Sequence, residues 1–246
     1  MNFKNFDKNE LKKEFNDKTK PFKFIIIDNL FDIEILQKIE TEIRNYSHER
    51  MIDSNKFLNK IIIEYDNKTR FNKKVIDTDI DEISINIKYI ENMMNSDIFI
   101  SFIEEITGIN NLKIDPNNFR SGIHSISKDG KLAVHTDFNY NIDINKYTAI
   151  TIILFLNSDW KPSYNGELEL WNPDMTECIK SIPPIINRLV IFTPTKNANH
   201  GVPSIWNGSE NYSRLSFAKW LYTDKNPEEE RDIESAIFKK RYNLEY

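Results

Sequence analysis

Cysteine and glycine are scarce in this chain, and each scarcity excludes a class of protein. A single cysteine, Cys178, among 246 residues excludes an intramolecular disulfide and a cysteine-rich zinc site. Six glycines, with no glycine- or serine-rich stretch, argue against a flexible linker between domains. The lone cysteine is typical of a reducing, intracellular setting. We therefore expect one domain and a cytoplasmic location.

Long apolar runs and an excess of positive charge are also missing. No stretch approaches the roughly 20 apolar residues of a membrane-spanning helix. The charged N-terminus "MNFKNFDKNELKKEFNDKTK" lacks the apolar segment of a signal peptide. The net charge of −5 gives no broad attraction to nucleic acid or anionic lipid. We expect neither nucleic acid nor a membrane as a partner, and the oligomeric state has no signal in the sequence.

Apolar residues are present in sufficient number for one sizeable core, since hydrophobic residues make up 39% of the chain and include 16 Phe. "FKFIIID" (22–28) predicts a strand. "DIEILQKIETEI" (32–43) and "SDIFISFIEEITG" (96–108) predict helices, because their apolar residues recur at helical spacing. "NPEEERDIESAIFKKRY" near the C-terminus predicts a closing helix, because its acidic residues precede its basic ones.

Between residues 119 and 222 the helical spacing gives way to short apolar runs separated by turn signals. Strands are predicted at 124–127, 131–135, 147–157, 167–171, 188–192 and 213–222. Six or more such strands indicate an antiparallel sandwich or barrel, such as a jelly roll. We expect a mainly β fold with flanking α-helices in a single domain over residues 1–246. Its predicted parts are an N-terminal arm, mobile or helical (1–20), an opening strand with supporting helices (21–118), the jelly-roll core (119–223) and a C-terminal helix (224–246).

"KLAVHTDFNYN" (131–141) contains a histidine and an aspartate two residues apart. On a strand, His135 and Asp137 point to the same face, where a metal ion can bridge them. Surface pairs of this kind are common, so a third ligand is needed. His200 follows the strand at 188–192, whereas His48 lies in a polar stretch and is expected at the surface. Two imidazoles and one carboxylate on one face of a metal are diagnostic of non-haem Fe(II) oxygenases.

The last predicted strand, "SRLSFAKWLY" (213–222), places Arg214 and Ser216 on one face. A guanidinium inside a barrel requires an anion, because burying it unpaired is costly. That anion is either a carboxylate of the protein or a bound small dicarboxylate, which the planar fork of arginine would hold bidentately. The nearby metal ligands favour the bound dicarboxylate.

These motifs together resemble the iron(II)/2-oxoglutarate-dependent dioxygenase superfamily, and most closely its prolyl 4-hydroxylase-like branch. The resemblance extends over roughly residues 20 to 223. It is carried by "KPFKFIIIDNLFDIEIL" (20–36), "GIHSISKDGKLAVHTDFN" (122–139), "ILFLNSDWKPSYNGELELW" (153–171), "NRLVIFTPTKNANHGVP" (187–203) and "SRLSFAKWLYT" (213–223). Together they are specific, although any one of them would not be.

The resemblance implies a double-stranded β-helix (jelly-roll/cupin-like) core and a defined chemistry. Fe(II) would be bound by His135, Asp137 and His200, and the cosubstrate 2-oxoglutarate by Arg214 with Ser216 as a second donor. O2 would be the oxidant. The implied reaction is hydroxylation of an unactivated C–H bond with release of succinate and CO2. The substrate would be prolyl or peptidyl, an amino acid or a natural-product intermediate. The carboxylate of Asp137 implies hydroxylation rather than halogenation.

The chain departs from the branch at the second contact to the cosubstrate. Phe155 stands where the branch has a tyrosine, and Asn165 precedes Gly166 where it has a Gly-Gly pair. His124 is a candidate for the missing contact, and a structural histidine is the alternative. Regions 50–82, 138–147 and 158–166 are expected around the mouth of the site.

Two other classes of function remain open from the residues alone. One is a non-catalytic jelly-roll binding protein whose metal is structural or absent. The other is a metal-dependent hydrolase or isomerase on a cupin-like barrel. The strand carrying Arg214 and Ser216 argues against both, because neither needs a clamp for a dicarboxylate.

Overall fold

The computed structural model describes residues 5–50, 74–76, 85–228 and 231–239. In these ranges the helices are α1 (Lys8–Phe15), α2 (Ile33–Arg50), α3 (Ile85–Asn95) and α4 (Asp97–Thr107). The strands are β1 (Phe24–Asp28), β2 (Lys74–Ile76), β3 (Gly122–Ile126), β4 (Leu132–Thr136), β5 (Tyr140–Asn141), β6 (Lys146–Phe155), β7 (Leu168–Trp171), β8 (Cys178–Ile182), β9 (Arg188–Phe192), β10 (Asn199–Val202), β11 (Arg214–Thr223) and β12 (Ile237–Phe238). None of the helices described has the length and apolar character needed to cross a bilayer.

The strands form two antiparallel sheets. The larger has the order β1-β9-β6-β11-β3-β2, with β5 paired to β6. The smaller has the order β12-β4-β10-β7-β8. Every strand predicted from the sequence is present within about two residues of its expected ends. The mainly β class with flanking helices is therefore confirmed.

The helices pack on the outer face of the larger sheet. Leu36 of α2 and Phe99 and Phe102 of α4 belong to the same buried cluster as Ile25 of β1. Each such side chain contributes roughly 1.5–3 kcal/mol when it leaves water. The ends of α4 agree with the sequence, because Ser96 accepts a hydrogen bond from the Phe99 amide and Gly108 ends the helix at φ 74°.

Alternation along β11 determines which side chains reach the space between the two sheets. Leu215, Phe217 and Leu221 join the cluster beneath the helices. Arg214 and Ser216, one step out of phase, line a pocket between the sheets. The period-2 pattern of the sequence predicted this division.

Residues 1–20 were predicted to form a mobile or helical arm. In the structure Phe15 of α1 is fully buried in the cluster that α2 and α4 form with β1, so this segment is packed against the domain. The helical alternative therefore holds for Lys8–Phe15.

The predicted C-terminal helix is wrong where the structure describes this segment, because residues 231–239 contain β12 and no helix. β12 pairs with β4, and the Lys239 amide donates to the Val134 carbonyl at 2.8 Å. Without this partner the outer edge of β4 would present unpaired backbone groups. These hydrogen bonds outweigh a favourable order of charges along a helix, which is worth only about 0.3–1 kcal/mol.

Candidate active site

Three side chains of metal-ligand type converge between the sheets. His135 is the penultimate residue of β4, Asp137 follows the strand, and His200 lies on β10, where antiparallel pairing places it directly opposite His135. The Asp137 Oδ1 atom lies 3.6 Å from His135 Nε2 and 3.7 Å from His200 Nε2. All three residues are buried. The sequence placed two of these residues together by local spacing, and the strand pairing brings in the third.

Backbone carbonyls orient both imidazoles. His135 Nδ1 lies 2.9 Å from the Ala133 carbonyl oxygen, and His200 Nδ1 lies 2.9 Å from that of Ala198. A carbonyl only accepts hydrogen bonds, so each Nδ1 carries the proton and each Nε2 presents a lone pair. This arrangement of the outer nitrogen is the usual one for a metal-binding histidine.

The Asp137 carboxylate is held by one oxygen and presents the other to the imidazoles. Its Oδ2 atom accepts hydrogen bonds from Thr151 Oγ1 at 2.9 Å and from Trp220 Nε1 at 3.2 Å. Burial is the largest influence on the Asp137 pKa and raises it, but the protonated imidazoles of His200 and His135 and the Trp220 indole together lower that pKa well below its ordinary value when no metal is bound. The carboxylate is therefore ionised at neutral pH, as a metal ligand must be.

The donor atoms fit a single divalent ion. Two ligands about 2.0–2.2 Å from the same ion can lie no more than about 4.4 Å apart. The two nitrogen–oxygen separations, 3.6 and 3.7 Å, satisfy this limit. Two neutral nitrogens and one carboxylate oxygen on one side leave the other positions of the ion open.

Arg214 lies in the same pocket as the three donors. Its Nε donates to the Gly166 carbonyl at 2.6 Å, and its guanidinium carbon is 5.0 Å from the centre of the Phe155 ring. Within the described ranges no carboxylate forms an ion pair with it. Burial lowers the Arg214 pKa to about 9, and Glu167 offsets this only in part. The group is still protonated at neutral pH, and a bound anion would stabilise its charge.

Gly166 makes the position of Arg214 sterically possible. Its φ of 81° is in the left-handed region, which favours glycine. A Cβ there would lie 2.4 Å from the Trp206 ring and 3.2 Å from the Arg214 Cδ. The glycine thus allows Trp206 and Arg214 to pack directly against the backbone.

His124 and Ser216 are neighbours on adjacent strands, paired in the β3–β11 register. Both are buried and both line the pocket. His124 Nε2 also lies 3.0 Å from the Arg120 carbonyl oxygen, so this nitrogen donates to the backbone. The two interpretations of His124 are therefore compatible, since it faces the pocket and also fixes a turn. His48 lies on α2, and its side chain is outside the described residues.

Residues 121–222 match the family model of the 2OG-Fe(II) oxygenase superfamily. The chain contains a 2OG-Fe(II) oxygenase domain. This match implies Fe(II), 2-oxoglutarate and O2, and the donor set formed by His135, Asp137 and His200 fits iron. No curated protein sequence matches the chain.

Solved structures show that the oxygenase has the fold of prolyl hydroxylases. A Trichoplax adhaerens prolyl hydroxylase, in complex with a hypoxia inducible factor oxygen degradation domain peptide, has a TM-score of 0.60 at 18% identity, covering 92% of this chain and 94% of the other. A Pseudomonas putida prolyl-4-hydroxylase has a TM-score of 0.55 at 15% identity, covering 86% of this chain and 98% of the other. A Burkholderia pseudomallei oxidoreductase of the 2OG-Fe(II) oxygenase family has a TM-score of 0.56 at 13% identity, covering 90% of this chain and 92% of the other. The double-stranded β-helix core is thereby confirmed.

Two further residues of the oxygenase site, Thr151 and Trp220, were not predicted from the sequence. They are register partners on β6 and β11, and both donate to Asp137. A signal for Trp220 was present, because it continues the period-2 face of Arg214 and Ser216. No such signal existed for Thr151, because its contact with Asp137 depends on β6 lying beside β11 in the sheet.

Proposed function

We propose that the oxygenase hydroxylates an unactivated C–H bond of a prolyl or peptidyl, amino-acid or natural-product substrate, with release of succinate and CO2. The observation that carries this proposal is the presence of two complementary features in one pocket. One is the triad His135, Asp137 and His200, and the other is the buried guanidinium of Arg214, which has no ion-pair partner in the described part of the chain. Bound Fe(II) would supply the activation of O2.

The residues of this chain position the reactants. The carbonyls of Ala133 and Ala198 fix the two imidazoles with their Nε2 atoms toward the ion. Thr151 and Trp220 occupy one oxygen of Asp137, so that a single oxygen is presented to the metal. This restraint keeps the remaining positions open for cosubstrate and O2.

Charge balance supports a dicarboxylate cosubstrate. The divalent ion, the Asp137 carboxylate and the Arg214 guanidinium would together carry two positive charges in a buried site. A dianion such as 2-oxoglutarate would neutralise them, and Arg214 and Ser216 would hold its distal carboxylate. The apolar walls limit the access of water. They include Ile126, Leu132, Ile153, Leu168 and Val202.

The proposed range of substrates is taken from the family resemblance and not from individual residues of the pocket. The Trichoplax relative is seen with a peptide, which supports a peptidyl substrate, whereas a pocket of this kind also admits small molecules. We also propose that the chain acts as a single dioxygenase domain in the cytoplasm, with the lone Cys178 as the observation that supports the location.

Anaerobic titration with Fe(II) and 2-oxoglutarate tests the proposal. We expect the weak visible charge-transfer band of an iron-chelated 2-oxo acid and, on admitting air, Fe(II)-dependent release of succinate. Asp137→Ala is expected to lose both signals. Asp97→Ala, which removes an exposed carboxylate on α4 away from the pocket, is the matched control and is expected to retain them. Undiminished release of succinate by Asp137→Ala would refute the assignment.

A further inference from the structure

A second arginine, Arg120, lies near the pocket in an aromatic setting. Its guanidinium carbon is 5.0 Å from the centre of the Phe119 ring and 5.1 Å from that of Phe138. The side chain is only partly exposed. No hydrogen bond or ion pair joins its guanidinium to any other group in the described part of the chain, although it is a planar cation with five N–H donors.

The start of β3, which follows Arg120, lies away from Arg214 along β11. In the β3–β11 pairing, Arg214 faces Ile126 and Ser216 faces His124. Gly122, two residues after Arg120, faces Ala218, which is four residues after Arg214 on β11. Since each residue advances a strand by about 3.3 Å, the two arginines are separated along the pocket by the length of several residues.

Direct contacts connect Arg120 to the metal end of the pocket. The Phe138 ring beside the Arg120 guanidinium lies 5.4 Å from the Trp220 ring between ring centres. The Trp220 indole donates to the Asp137 carboxylate. In addition, the Arg120 carbonyl accepts from His124, which lines the pocket. The Phe138 ring thus lies between Arg120 and Trp220, which lines the pocket beside Asp137.

The turn that carries Arg120 is held rigidly. The Asp115 carboxylate accepts from the backbone amides of Asn117 at 2.8 Å and Phe119 at 2.9 Å. The buried Lys219 donates to Asn118 Oδ1 at 2.9 Å. Arg120 itself has φ 59°, a conformation that costs a non-glycine residue energy and persists where the surroundings enforce it. The guanidinium is thus supported on a fixed turn and between two rings.

The Phe119 and Phe138 rings lie at 80° to each other and offer the guanidinium no conventional hydrogen-bond acceptor, so its N–H donors remain available for a ligand. A partly desolvated edge of this kind favours a carboxylate, which it can bind through two parallel hydrogen bonds. The distal carboxylate of the cosubstrate is already accounted for by Arg214, so Arg120 is available for a different anion. We propose that Arg120 binds a carboxylate of the substrate itself, and that the oxygenase therefore acts on a small free carboxylic acid such as an amino acid. This inference rests on the proposed function and narrows its substrate range.

Matched acids and amides test the inference. The probes are the proteinogenic L-amino acids and their carboxamides, added anaerobically to protein loaded with Fe(II) and 2-oxoglutarate. Binding is followed by the shift of the charge-transfer band and by calorimetry, neither of which requires turnover. We expect at least one amino acid to bind, and its amide to bind about 10- to 100-fold more weakly, the size expected for losing a charge-assisted contact.

Variants locate the effect. Arg120→Gln is expected to weaken binding of that amino acid by about 10- to 100-fold and Arg120→Lys by less, because lysine keeps the charge. Both variants are expected to form the charge-transfer band with unchanged affinity for 2-oxoglutarate, which also shows that the site is folded. Arg188→Gln, which removes an arginine paired with Asp28 on another part of the larger sheet, is the control and is expected to bind like the wild type.

Three results would overturn the inference while the band still forms in the wild type. They are binding of no amino acid, equal binding of acids and amides, and undiminished binding of the acid by Arg120→Gln. Failure of the wild type to form the band would overturn the proposed function first, and this inference with it.

Discussion

Replacing Arg214 with lysine separates the charge of this residue from its shape. In the structure Arg214 Nε donates a hydrogen bond to the Gly166 carbonyl at 2.6 Å. The two terminal nitrogens therefore remain available for an anion. A lysine retains a positive charge but has one ammonium group, which cannot reproduce both the backbone contact and a bidentate contact to a carboxylate.

The expected loss follows from the lost contact. A hydrogen bond to a charged group contributes about 1.5–3 kcal/mol, so Arg214→Lys is expected to weaken 2-oxoglutarate binding by roughly one to two decades. Arg214→Ala is expected to weaken it further, because it also removes the positive charge beside Phe155. Iron binding is expected to persist in both variants, since Arg214 contacts none of the three proposed ligands.

The assay is a titration with 2-oxoglutarate of the wild type and both variants, with metal content measured in parallel. Arg188→Lys is the matched control, because Arg188 also contacts a carboxylate through two nitrogens, at Asp28. Equal cosubstrate affinity in the wild type and both Arg214 variants would refute the reasoning and make Arg214 a structural residue.

Three further substitutions test other parts of the account. Trp220→Phe removes the indole donor to Asp137 and is expected to lower Fe(II) affinity about 10-fold or more, whereas unchanged affinity by metal titration would contradict the proposed restraint. Gly166→Ala is expected to cost more than about 1 kcal/mol in the free energy of unfolding and to weaken 2-oxoglutarate binding, since its Cβ would meet Trp206; denaturant unfolding and the same titration measure both. Burial lowers the Lys219 pKa from 10.5 to about 8, so between these two pH values the unfolded chain binds more protons than the folded chain. The free energy of unfolding is therefore expected to rise by about 3 kcal/mol as the pH increases across that window. Lys219→Met is expected to lack this rise, and equal pH profiles for the two proteins would contradict it.

Local patterns were sufficient for much of the site. Strand periodicity alone placed His135 beside Asp137 and put Arg214 on the same face as Ser216. The position of His200 opposite His135, in contrast, depends on β10, a short strand without a continuous apolar run, "NHGV". No rule based on neighbouring residues detects such a strand, because its partners β4 and β7 stabilise it.

The C-terminal segment shows the opposite failure, in which a local pattern was misleading. The order of acidic and basic residues predicted a helix, but Arg231 donates instead to the carbonyls of Pro194 and Asp137, at 2.7 and 3.1 Å. Phe238 lies with its ring centre 5.1 Å from that of His135. These tertiary contacts involve residues far away in the sequence, so helix propensity and charge order could not reveal them.

The most direct test of the central claim is a crystal structure of the protein grown anaerobically with Fe(II) and 2-oxoglutarate, with the iron located by anomalous scattering. The account predicts one ion bound by Nε2 of His135, Nε2 of His200 and a single oxygen of Asp137, each at about 2.0–2.2 Å. It also predicts that the distal carboxylate of 2-oxoglutarate lies on Arg214. An ion bound elsewhere, or one that lacks any of these three ligands, would contradict the account.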